Sequence, residues 1–488
     1  METIQVKTVD PISQDLLKSA SQKGIKLTWD RFEKLQPQDG FLRMGLSCPY
    51  GCLQGPCRID PFGRGPERGL CGLDRDGMVA ALLLRLILSG ALEAMPAPAK
   101  EISWDSSLKD AVSRVSKKLG GEQISSTEIQ TAASCLIRPM ESPEGLINQS
   151  LRLALLTIGW LAKGAASQGR KKSFPLAVGY GLLAQKDFNI GICGQPSPEF
   201  LKVVLAQVNR SLSGGGQLVS LGEFIPLDGS YLPCVCTSGE SELVLSSGQI
   251  KLLIAGPGTD PSILELCRAL NVPSLSSPDP KSVATLVAKA GKSGGAPAQS
   301  PFSPQPSLVE EGEAAGSASL LEESFKKMSA KKLALLGGAD HPYHSLGWIP
   351  TEVTPALQAK GFAVWSWGDA ALWMVKKGLA SQKMKSPIQI LGGEQGAILA
   401  LKPLAACGRL KDVKGVCFTG MKSCQDLALA LGLASMGLKV SVAVPLPLWG
   451  GEKVRNLLQE KLAALGGSLT HYDHPAQAEE ILDWFLKN

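Results

Sequence analysis

Hydrophobic and polar positions follow one pattern in the first third of the chain and another in the remainder. In the first third, long apolar stretches have helical spacing, and two of them, 78–91 and 151–162, are apolar on nearly every side. Each is short for a membrane span and contains an arginine, so the pattern predicts buried helices. The pattern at residues 1–47 predicts a helical lead-in that is polar and partly loose. The pattern at residues 105–166 predicts helices with an interruption at 138–145.

After residue 173, short apolar runs alternate with amphipathic stretches, as in FPLAVGYG, PEFLKVVLAQVNR and IKLLIAGPG. This alternation is typical of an α/β fold with a parallel sheet. The stretch 291–325, rich in Gly, Ser, Pro and Ala over most of its length, predicts a flexible linker. The predicted organisation is therefore a helical domain at 1–170 followed by Rossmann-like domains at 171–290 and 326–488.

Composition narrows the function classes. The 488 residues are 44% hydrophobic and 19% charged, as expected of a packed globular protein. The formal charge of +6 is spread along the chain without a basic block, so we expect no nucleic-acid partner. No apolar leader or membrane span is visible, and twelve cysteines without a leader predict the reducing cytoplasm, where thiols bind metal or lie in cores.

Four of the twelve cysteines fall in one segment, 48–71, with the spacing C-x3-C-x4-C-x13-C. Glycine and proline occupy many positions between them, so the segment cannot continue as a regular helix or strand. Four thiolates on such a loop suit an iron–sulfur cluster or zinc. The two separated C-x2-C pairs usual in zinc ribbons are absent, which favours the iron–sulfur cluster.

The sequence CLQGPCRI-x-PFG-x-GP-x-x-G-x-CG, at 52–72, resembles the N-terminal cluster loop of the nickel carbon monoxide dehydrogenases. The order of parts agrees with that family, and 427–483, which includes VAVPLPLWGG, is similar to its C-terminal part, although this chain is shorter and its helical domain trimmed. The resemblance implies a relay [4Fe-4S] cluster. Its ligands would be Cys48, Cys52, Cys57 and Cys71.

Two departures from the family lie at this loop. The family begins with C-x2-C where this chain has C-x3-C, and we expect the extra residue, Gly51, to bulge outwards with the cluster retained in an altered geometry at the first ligand. Family members carry two further cysteines upstream that bind a cluster shared by two subunits. Here Ser47 stands beside Cys48 and no cysteine precedes it. A cluster that bridges two subunits is therefore not expected. An oligomer without such a cluster stays an alternative.

A third departure concerns the family's nickel–iron–sulfur cluster, which one histidine and five cysteines hold. The histidine and four of the cysteine positions fall at Gln195, Gly222 or Glu223, Gly258, Ala339 and Asp369. The remaining cysteine position falls at Cys417 or Cys424. Irons of such a cluster need soft thiolate ligands, and glycine and alanine have no donor. The nickel cluster and CO oxidation are therefore not expected.

Other cysteines and the histidines carry weaker signals. Cys193, beside the lost histidine position, is either a core residue, which free cysteine favours, or a thiol facing the cleft. Cys234 and Cys236 point to opposite faces of an extended segment and would not chelate together. Cores or helix ends are expected for Cys135, Cys267 and Cys407. The four histidines form two H-x-x-H pairs, His341 with His344 and His471 with His474, each short of the four ligands of a closed zinc site.

Three tryptophans, Trp365, Trp367 and Trp373, surround the lost position at Asp369. They either fill the volume of the missing nickel cluster or pack as ordinary core residues. GPG at 256–258 lacks the rest of a dinucleotide fingerprint, so no NAD site is predicted. Arginines near the loop would raise the cluster potential or dock an acidic carrier such as ferredoxin, or are solvated surface residues. They are Arg43, Arg58, Arg64, Arg68 and Arg75.

The leading prediction is a cytoplasmic [4Fe-4S] protein of an anaerobe with the carbon monoxide dehydrogenase fold and without its nickel centre. It would transfer electrons or serve as a structural subunit in an anaerobic redox or one-carbon complex. Two alternatives stay open. One is an active carbon monoxide dehydrogenase, or another redox enzyme, with a rebuilt cleft that uses Gln195, Glu223, Asp369 and Cys193. The other is a scaffold stabilised by zinc or by a cluster.

Overall fold

The computed structural model describes most of the chain. The described residues are 6–35, 45–50, 52–60, 62–96, 104, 106–121, 123–137, 142–167, 173–212, 215–275, 282, 285–287, 303–315, 318–327, 332–380, 388–406, 409–446, 451–472 and 474–488.

Helices dominate the first third of the molecule and alternate with strands afterwards. The helices are α1 Pro11–Gln22, α2 Thr28–Leu35, α3 Arg75–Ala94, α4 Ser106–Lys118, α5 Thr127–Ile137, α6 Pro143–Ser167, α7 Pro198–Ser211, α8 Ser241–Ser246, α9 Pro261–Ala269, α10 Ala318–Lys327, α11 Trp348–Ala359, α12 Gly368–Lys376, α13 Glu394–Ala406, α14 Cys424–Ser435, α15 Glu452–Ala464 and α16 Ala478–Lys487. The strands are β1 Ser173–Val178, β2 Phe188–Cys193, β3 Gly216–Leu221, β4 Pro226–Leu227, β5 Ser230–Tyr231, β6 Cys234–Cys236, β7 Ile250–Ala255, β8 Ser274–Leu275, β9 Glu310–Ala315, β10 Leu333–Gly338, β11 Ala363–Trp367, β12 Ile388–Ile390, β13 Val413–Phe418, β14 Lys439–Val442 and β15 Ser468–His471.

The two apolar runs of the first third are buried helices, as predicted. They lie in α3 and α6, which pack against each other and against α14 of the C-terminal half. By length and composition alone, α3 could cross a membrane, the one such helix among the residues described, but most of it is buried in this bundle. The predicted interruption at 138–145 agrees with the end of α5 and the start of α6, while 138–141 lie outside the described residues.

The lead-in is helical but not loose, which corrects the sequence prediction within 6–35. Asp10 caps α1 by accepting hydrogen bonds from the backbone N–H groups of Ile12 and Ser13. The same carboxylate lies 3.0 Å from the Lys376 ammonium, which also contacts Glu240 at 2.7 Å. This buried ionic cluster fixes the lead-in to both α/β halves, the first containing β1–β8 and the second β10–β15. Polar residues, which predicted looseness, thus hold the lead-in in place.

The strands form one sheet of thirteen within the described residues, in the order β15-β14-β13-β10-β11-β12-β9-β1-β6-β3-β2-β7-β8. Strands on each side of β9 are parallel to one another, which confirms the predicted α/β class with parallel sheets. Strand β9 is parallel to β12 and antiparallel to β1, so it joins the two halves into a single sheet. β4 and β5 form a separate hairpin.

Strand β9 and most of α10 fall inside 291–325, so this segment is not the flexible linker that composition predicts over its whole length. The sequence of β9, EEGEAA, has no large apolar side chain. Its strand conformation depends on its neighbours, because β1 pairs with it from Ser173 opposite Ala315 to Val178 opposite Glu310. Residues 291–302 of the predicted linker lie outside the described part of the chain.

Candidate functional site

The cysteine loop is held together by a short antiparallel pairing across its base. The backbone N–H of Cys48 donates to the Cys57 carbonyl at 2.9 Å, and that of Ile59 donates to the Leu46 carbonyl at 2.9 Å. These two hydrogen bonds flank the bridge between Ser47 and Arg58. Two of the predicted ligands, Cys48 and Cys57, are thereby placed directly opposite each other.

The remainder of the loop is tied to α3. Asp74, three residues after Cys71, caps α3 by accepting from the Gly77 N–H at 2.9 Å. Arg85, from the body of the same helix, donates to the Pro49 carbonyl. The loop therefore has a fixed base although it contains no regular helix or strand of its own.

The charges of the other three predicted ligands act on Cys48. Burial raises the pKa of Cys48, and the thiols of Cys57, Cys71 and Cys52 raise it further. Cys52 and Cys71 are exposed, whereas Cys48 and Cys57 are half-buried. Two backbone N–H groups already point at sulfur, with Tyr50 donating to Cys48 Sγ at 3.4 Å and Leu70 to Cys57 Sγ at 3.5 Å.

The donor set therefore fits an iron–sulfur cluster in kind, since such clusters take thiolate ligands and accept backbone N–H hydrogen bonds at sulfur. In the part of the chain that the structure describes, however, no three His, Cys, Asp or Glu side chains are already arranged to hold a metal ion. The ligand assignment stays a prediction. Gly51, where we expect the bulge, lies outside the described residues.

The outer face of the loop is apolar and basic. Leu53, Phe62 and Leu70 are large hydrophobic residues with at least three-quarters of their surface exposed. Among the arginines, Arg64 lies 6.0 Å from the Phe62 ring and Arg68 donates to the Gly72 carbonyl at 2.9 Å. The positions of Arg58 and Arg75 are also described, whereas Arg43 lies outside the described residues.

A second candidate site is a cleft of about 230 Å³ at loops that follow strands of both α/β halves and beside the lead-in. Cys193, Glu223 and Asp260 lie on the side of the first half, and Asp340, His341 and Lys422 on the side of the second. Thr28 and Trp29, at the start of α2, complete the wall. Ends of parallel strands are the usual position of ligand sites in α/β sheets.

Hydrogen bonds connect the polar residues of the cleft. Gln195 Nε2 donates to Glu223 Oε2 at 3.0 Å, and Lys422 Nζ lies 3.9 Å from the other carboxylate oxygen of Glu223. Behind the cleft wall, Asp369 accepts from the backbone N–H groups of Ser238 and Asp340 at 2.9 and 2.8 Å. Of the predicted nickel positions, Gln195 and Glu223 are therefore in direct contact, whereas Asp369 acts on Glu223 through its charge.

Burial controls the protonation of these acids. It raises the pKa of Glu223 and of Asp369, and it raises the pKa of Asp340, which the charge of Asp369 raises further. Burial opposes the charge of Lys422, but the carboxylates of Glu223 and Asp369 outweigh it and raise the pKa of this ammonium. The cleft therefore combines carboxyl groups of raised pKa with a lysine whose charge those carboxylates stabilise.

The other predicted nickel positions supply few donors. Gly258 has a left-handed backbone with φ of 82° and, like Ala339, no donor side chain. Cys417 is fully buried in β13, and Cys424 is half-buried at the first turn of α14. Among the described lining residues of the cleft, Cys193 is the one thiol; it is 5% exposed, and burial raises its pKa.

The cleft also contains Asp340 and Lys422, which the sequence did not predict there, and His341, which it predicted only as half of an H-x-x-H pair. Each follows a strand of the second half, in the segments GGADH and FTGMK. Polar residues directly after the strands of a parallel sheet were the available signal. The proximity of these residues to α2 carried no sequence signal.

The tryptophans have separate environments. Trp373 donates its indole N–H to Asp340 at 2.9 Å and so lies behind the cleft wall. Trp367 packs against Phe418 with ring centroids 5.3 Å apart, and Trp365 packs against Phe325 at 5.9 Å. Both are core contacts, whereas Trp373 is linked through Asp340 to Asp369, one of the predicted nickel positions.

The histidine pairs do not act as pairs. The His341 ring stacks on Tyr343 at the cleft, whereas His344 contacts the Ala443 carbonyl at 3.1 Å, and burial lowers the pKa of His344. His474 forms an ion pair with Glu480 at 3.1 Å. Of the remaining cysteines, Cys234, Cys236 and Cys267 are buried and Cys135 is half-buried, while Cys407 lies outside the described residues.

Comparison with known proteins agrees with the resemblance to the carbon monoxide dehydrogenases. No family model matches the chain. In sequence it is 49% identical to carbon monoxide dehydrogenase 1 of Methanosarcina mazei over 90 residues, which are 18% of this chain and 14% of that relative. The match therefore spans about one seventh of the relative's length.

The fold similarity extends much further. The structure superposes on carbon monoxide dehydrogenase IV of Carboxydothermus hydrogenoformans with a TM-score of 0.79 and 18% identity, covering 99% of both chains. It superposes on an acetyl-CoA synthase/carbon monoxide dehydrogenase structure with a TM-score of 0.80 and 16% identity, covering 100% of this chain and 95% of that one. The chain thus has the fold of the carbon monoxide dehydrogenases over its whole length and resembles them closely in sequence over one segment.

Proposed function

We propose that this protein is a [4Fe-4S] protein with the carbon monoxide dehydrogenase fold, that it lacks the nickel–iron–sulfur centre, and that it transfers electrons or serves as a structural subunit. The observation that carries the proposal is the contrast between its two sites. The loop at 48–71 offers four thiols, two of which lie opposite each other at its base, whereas the cleft offers Cys193 among carboxylates, a histidine and a lysine.

The chemistry of the donors supports this separation. Irons of a mixed cluster need thiolates, and a single buried thiol with a raised pKa is a poor ligand. The described lining of the cleft therefore does not fit a nickel–iron–sulfur cluster. At the loop, Cys48, Cys52, Cys57 and Cys71 would hold the [4Fe-4S] group, which supplies one-electron redox chemistry when bound.

The exposed face of the loop supports a protein partner. Leu53, Phe62 and Leu70 are exposed on the loop, and Arg64 lies beside Phe62, which favours an acidic electron carrier such as ferredoxin. A larger complex is an alternative partner, because one protein of the same fold is an acetyl-CoA synthase/carbon monoxide dehydrogenase. We place the protein in the cytoplasm of an anaerobe, since the ligand thiols must stay reduced.

Metal analysis and electron paramagnetic resonance of anaerobically purified protein, with a CO-dependent viologen-reduction assay, test the proposal. We expect about four irons per chain, as a [4Fe-4S] group requires, with neither nickel nor CO oxidation. Stoichiometric nickel with CO oxidation would overturn the proposal and support an active carbon monoxide dehydrogenase. Zinc without iron would support the scaffold alternative.

Cys57→Ser tests the ligand assignment. Serine is a poor replacement for a thiolate ligand, so we expect the variant to lose the cluster absorbance and most of its iron. Cys267→Ser is the matched control, because Cys267 is buried in α9 away from the loop, and it should retain both. Unchanged absorbance in Cys57→Ser would mean that Cys57 is not a ligand.

A redox enzyme with a rebuilt cleft is the second candidate. It is favoured by Lys422, whose ammonium faces the cleft with its nearest described carboxylate at 3.9 Å, and by the raised pKa values of Glu223 and Asp340. Such an enzyme would use these groups to bind and protonate a small polar substrate beside Gln195. Substrate-dependent redox activity that Lys422→Met abolishes, with the loop cluster intact, would support this candidate over a pure relay.

A further inference from the structure

The Tyr50 hydroxyl, at the cysteine loop, is buried and has no hydrogen-bond partner among the described residues. Tyr50 lies between the first two predicted ligands, is 8% exposed, and its ring belongs to the large hydrophobic core that α3, α6 and α14 share. Its hydroxyl makes no hydrogen bond within the described part of the chain. A buried donor without an acceptor is unfavourable and uncommon in folded proteins, so such a group calls for an explanation.

Two sulfur-bearing side chains pack against the same hydrophobic core as Tyr50. They are Cys48 of the loop and Cys135 of α5. The Tyr50 backbone N–H already donates to Cys48 Sγ at 3.4 Å, so the residue faces the same ligand with its main chain. The hydrogen bond from Arg85 to the Pro49 carbonyl anchors the backbone just before Tyr50 on α3.

We propose that Tyr50 is a positioning and tuning residue of the loop cluster, whose hydroxyl donates a hydrogen bond to a cluster sulfur or to the sulfur of a ligand. The inference rests on the proposed function, since it needs the cluster to be present. Addition of an electron increases the negative charge on sulfur, so an O–H donor stabilises the reduced form more than the oxidised form. Tyr50 therefore raises the reduction potential of the cluster.

Tyr50→Phe removes the hydroxyl and keeps the ring. At a fixed potential, we expect the ratio of reduced to oxidised cluster to fall by about twofold to tenfold, the range of one hydrogen bond of ordinary net strength. The measurement is a redox titration of anaerobically purified protein, followed by electron paramagnetic resonance. Tyr231→Phe, at a tyrosine 7% exposed in the first α/β half, is the matched control and should leave the titration unchanged.

In the protein without the cluster, the same substitution is expected to affect stability differently. There the hydroxyl has no acceptor, so Tyr50→Phe should leave the urea midpoint of the iron-free protein unchanged or raise it. A hydroxyl with a merely structural role would lower that midpoint and leave the potential unmoved, which would overturn the inference. Cys135→Ala should leave the potential unchanged; an equal fall in that variant would mean that Tyr50 acts on Cys135 instead.

If Tyr50→Phe fails to assemble the cluster, 3-fluorotyrosine at position 50 replaces it. Fluorination makes the phenol a stronger donor, so the reduced form should be favoured and the potential should rise. An unmoved potential in an iron-loaded variant refutes the role of Tyr50 alone. A wild-type protein that binds no iron refutes the proposed function and this inference together, so the two failures are distinguishable.

Discussion

Asp340 and Asp369 are neighbouring acids at the cleft whose carboxyl groups are held by hydrogen-bond donors. Asp340 accepts from Trp373 Nε1 at 2.9 Å, and Asp369 accepts from the Asp340 backbone N–H at 2.8 Å. Burial raises the pKa of both, and the charge of Asp369 raises the pKa of Asp340 further. Proton uptake by this pair is therefore coupled to folding.

The sign of that coupling gives a prediction. A carboxyl group whose folded pKa is raised contributes most to stability below the ordinary aspartate pKa of about 4, and this stability is lost as pH rises through the folded pKa. Asp340→Asn removes one titrating group and its repulsion of Asp369. We expect the free energy of unfolding to fall less steeply between pH 4 and 8 than in wild type, where each such group contributes at most about 1.4 kcal/mol per pH unit.

Urea unfolding at a series of pH values measures this slope. Asp187→Asn, at an exposed aspartate before β2, is the control and should leave the wild-type slope unchanged. A slope in Asp340→Asn equal to that of wild type would show that Asp340 does not take up a proton on folding.

At the scale of elements, the close approach of α3 to α14 depends on one glycine. A Cβ added at Gly90 would lie 2.2 Å from the Cys424 carbonyl oxygen, which is backbone and cannot move aside alone. The contact joins the helix that follows the cysteine loop to the segment that carries Lys422. Gly90 therefore fixes the distance between the parts of the molecule that hold the two candidate sites.

Helix propensity and packing make opposite predictions for Gly90→Ala. Propensity alone would stabilise α3 by about 1 kcal/mol, whereas overpacking of a close contact costs about 1–3 kcal/mol. We expect packing to decide, with a net loss of stability in urea unfolding. Ser89→Ala, one residue earlier on the exposed side of α3, is the control and should change stability little. A gain in Gly90→Ala would mean that α3 and α14 separate easily.

Element by element, the sequence predicts what its own side chains determine. The apolar run in α3 predicts a buried helix because almost any helix of that composition must be covered. EEGEAA in β9 gives no such signal, since its strand conformation comes from pairing with β1 on one side and β12 on the other. Pairing between segments that lie far apart in the chain is not encoded in local composition.

The two candidate sites differ in the same way. The cysteine loop could be predicted because all four thiols lie within 24 residues and match one family motif. The loss of nickel ligands could also be proposed from single positions. The cleft could be predicted only in part. Cys193 and Glu223 were named from the family positions, whereas His341 and Lys422 come from other distant loops and meet them only when both α/β halves are folded.

For the whole molecule, the continuous sheet implies that the two α/β halves are one cooperative unit. Strand β9 lies between β12 and β1, and all six of its residues pair with β1. Ala314 and Ala315 are almost fully buried in this junction. The cleft needs residues from both halves, so a weakened junction would also disturb the cleft.

Ala314→Pro tests this unity. Ala314 pairs with Phe174 of β1 on one side and with Ile390 of β12 on the other. Its backbone N–H therefore faces a neighbouring strand, whichever side it points to. Proline removes that hydrogen bond and adds a clash, and we expect a loss of roughly 3 kcal/mol or more in urea unfolding. Hydrogen exchange measured by mass spectrometry should show lower protection in peptides from both β2 and β10. Glu313→Ala, at an exposed neighbour in the same strand, should leave both protected. Protection lost in one half alone would mean that the halves unfold independently, and that the cleft between them opens without loss of either fold.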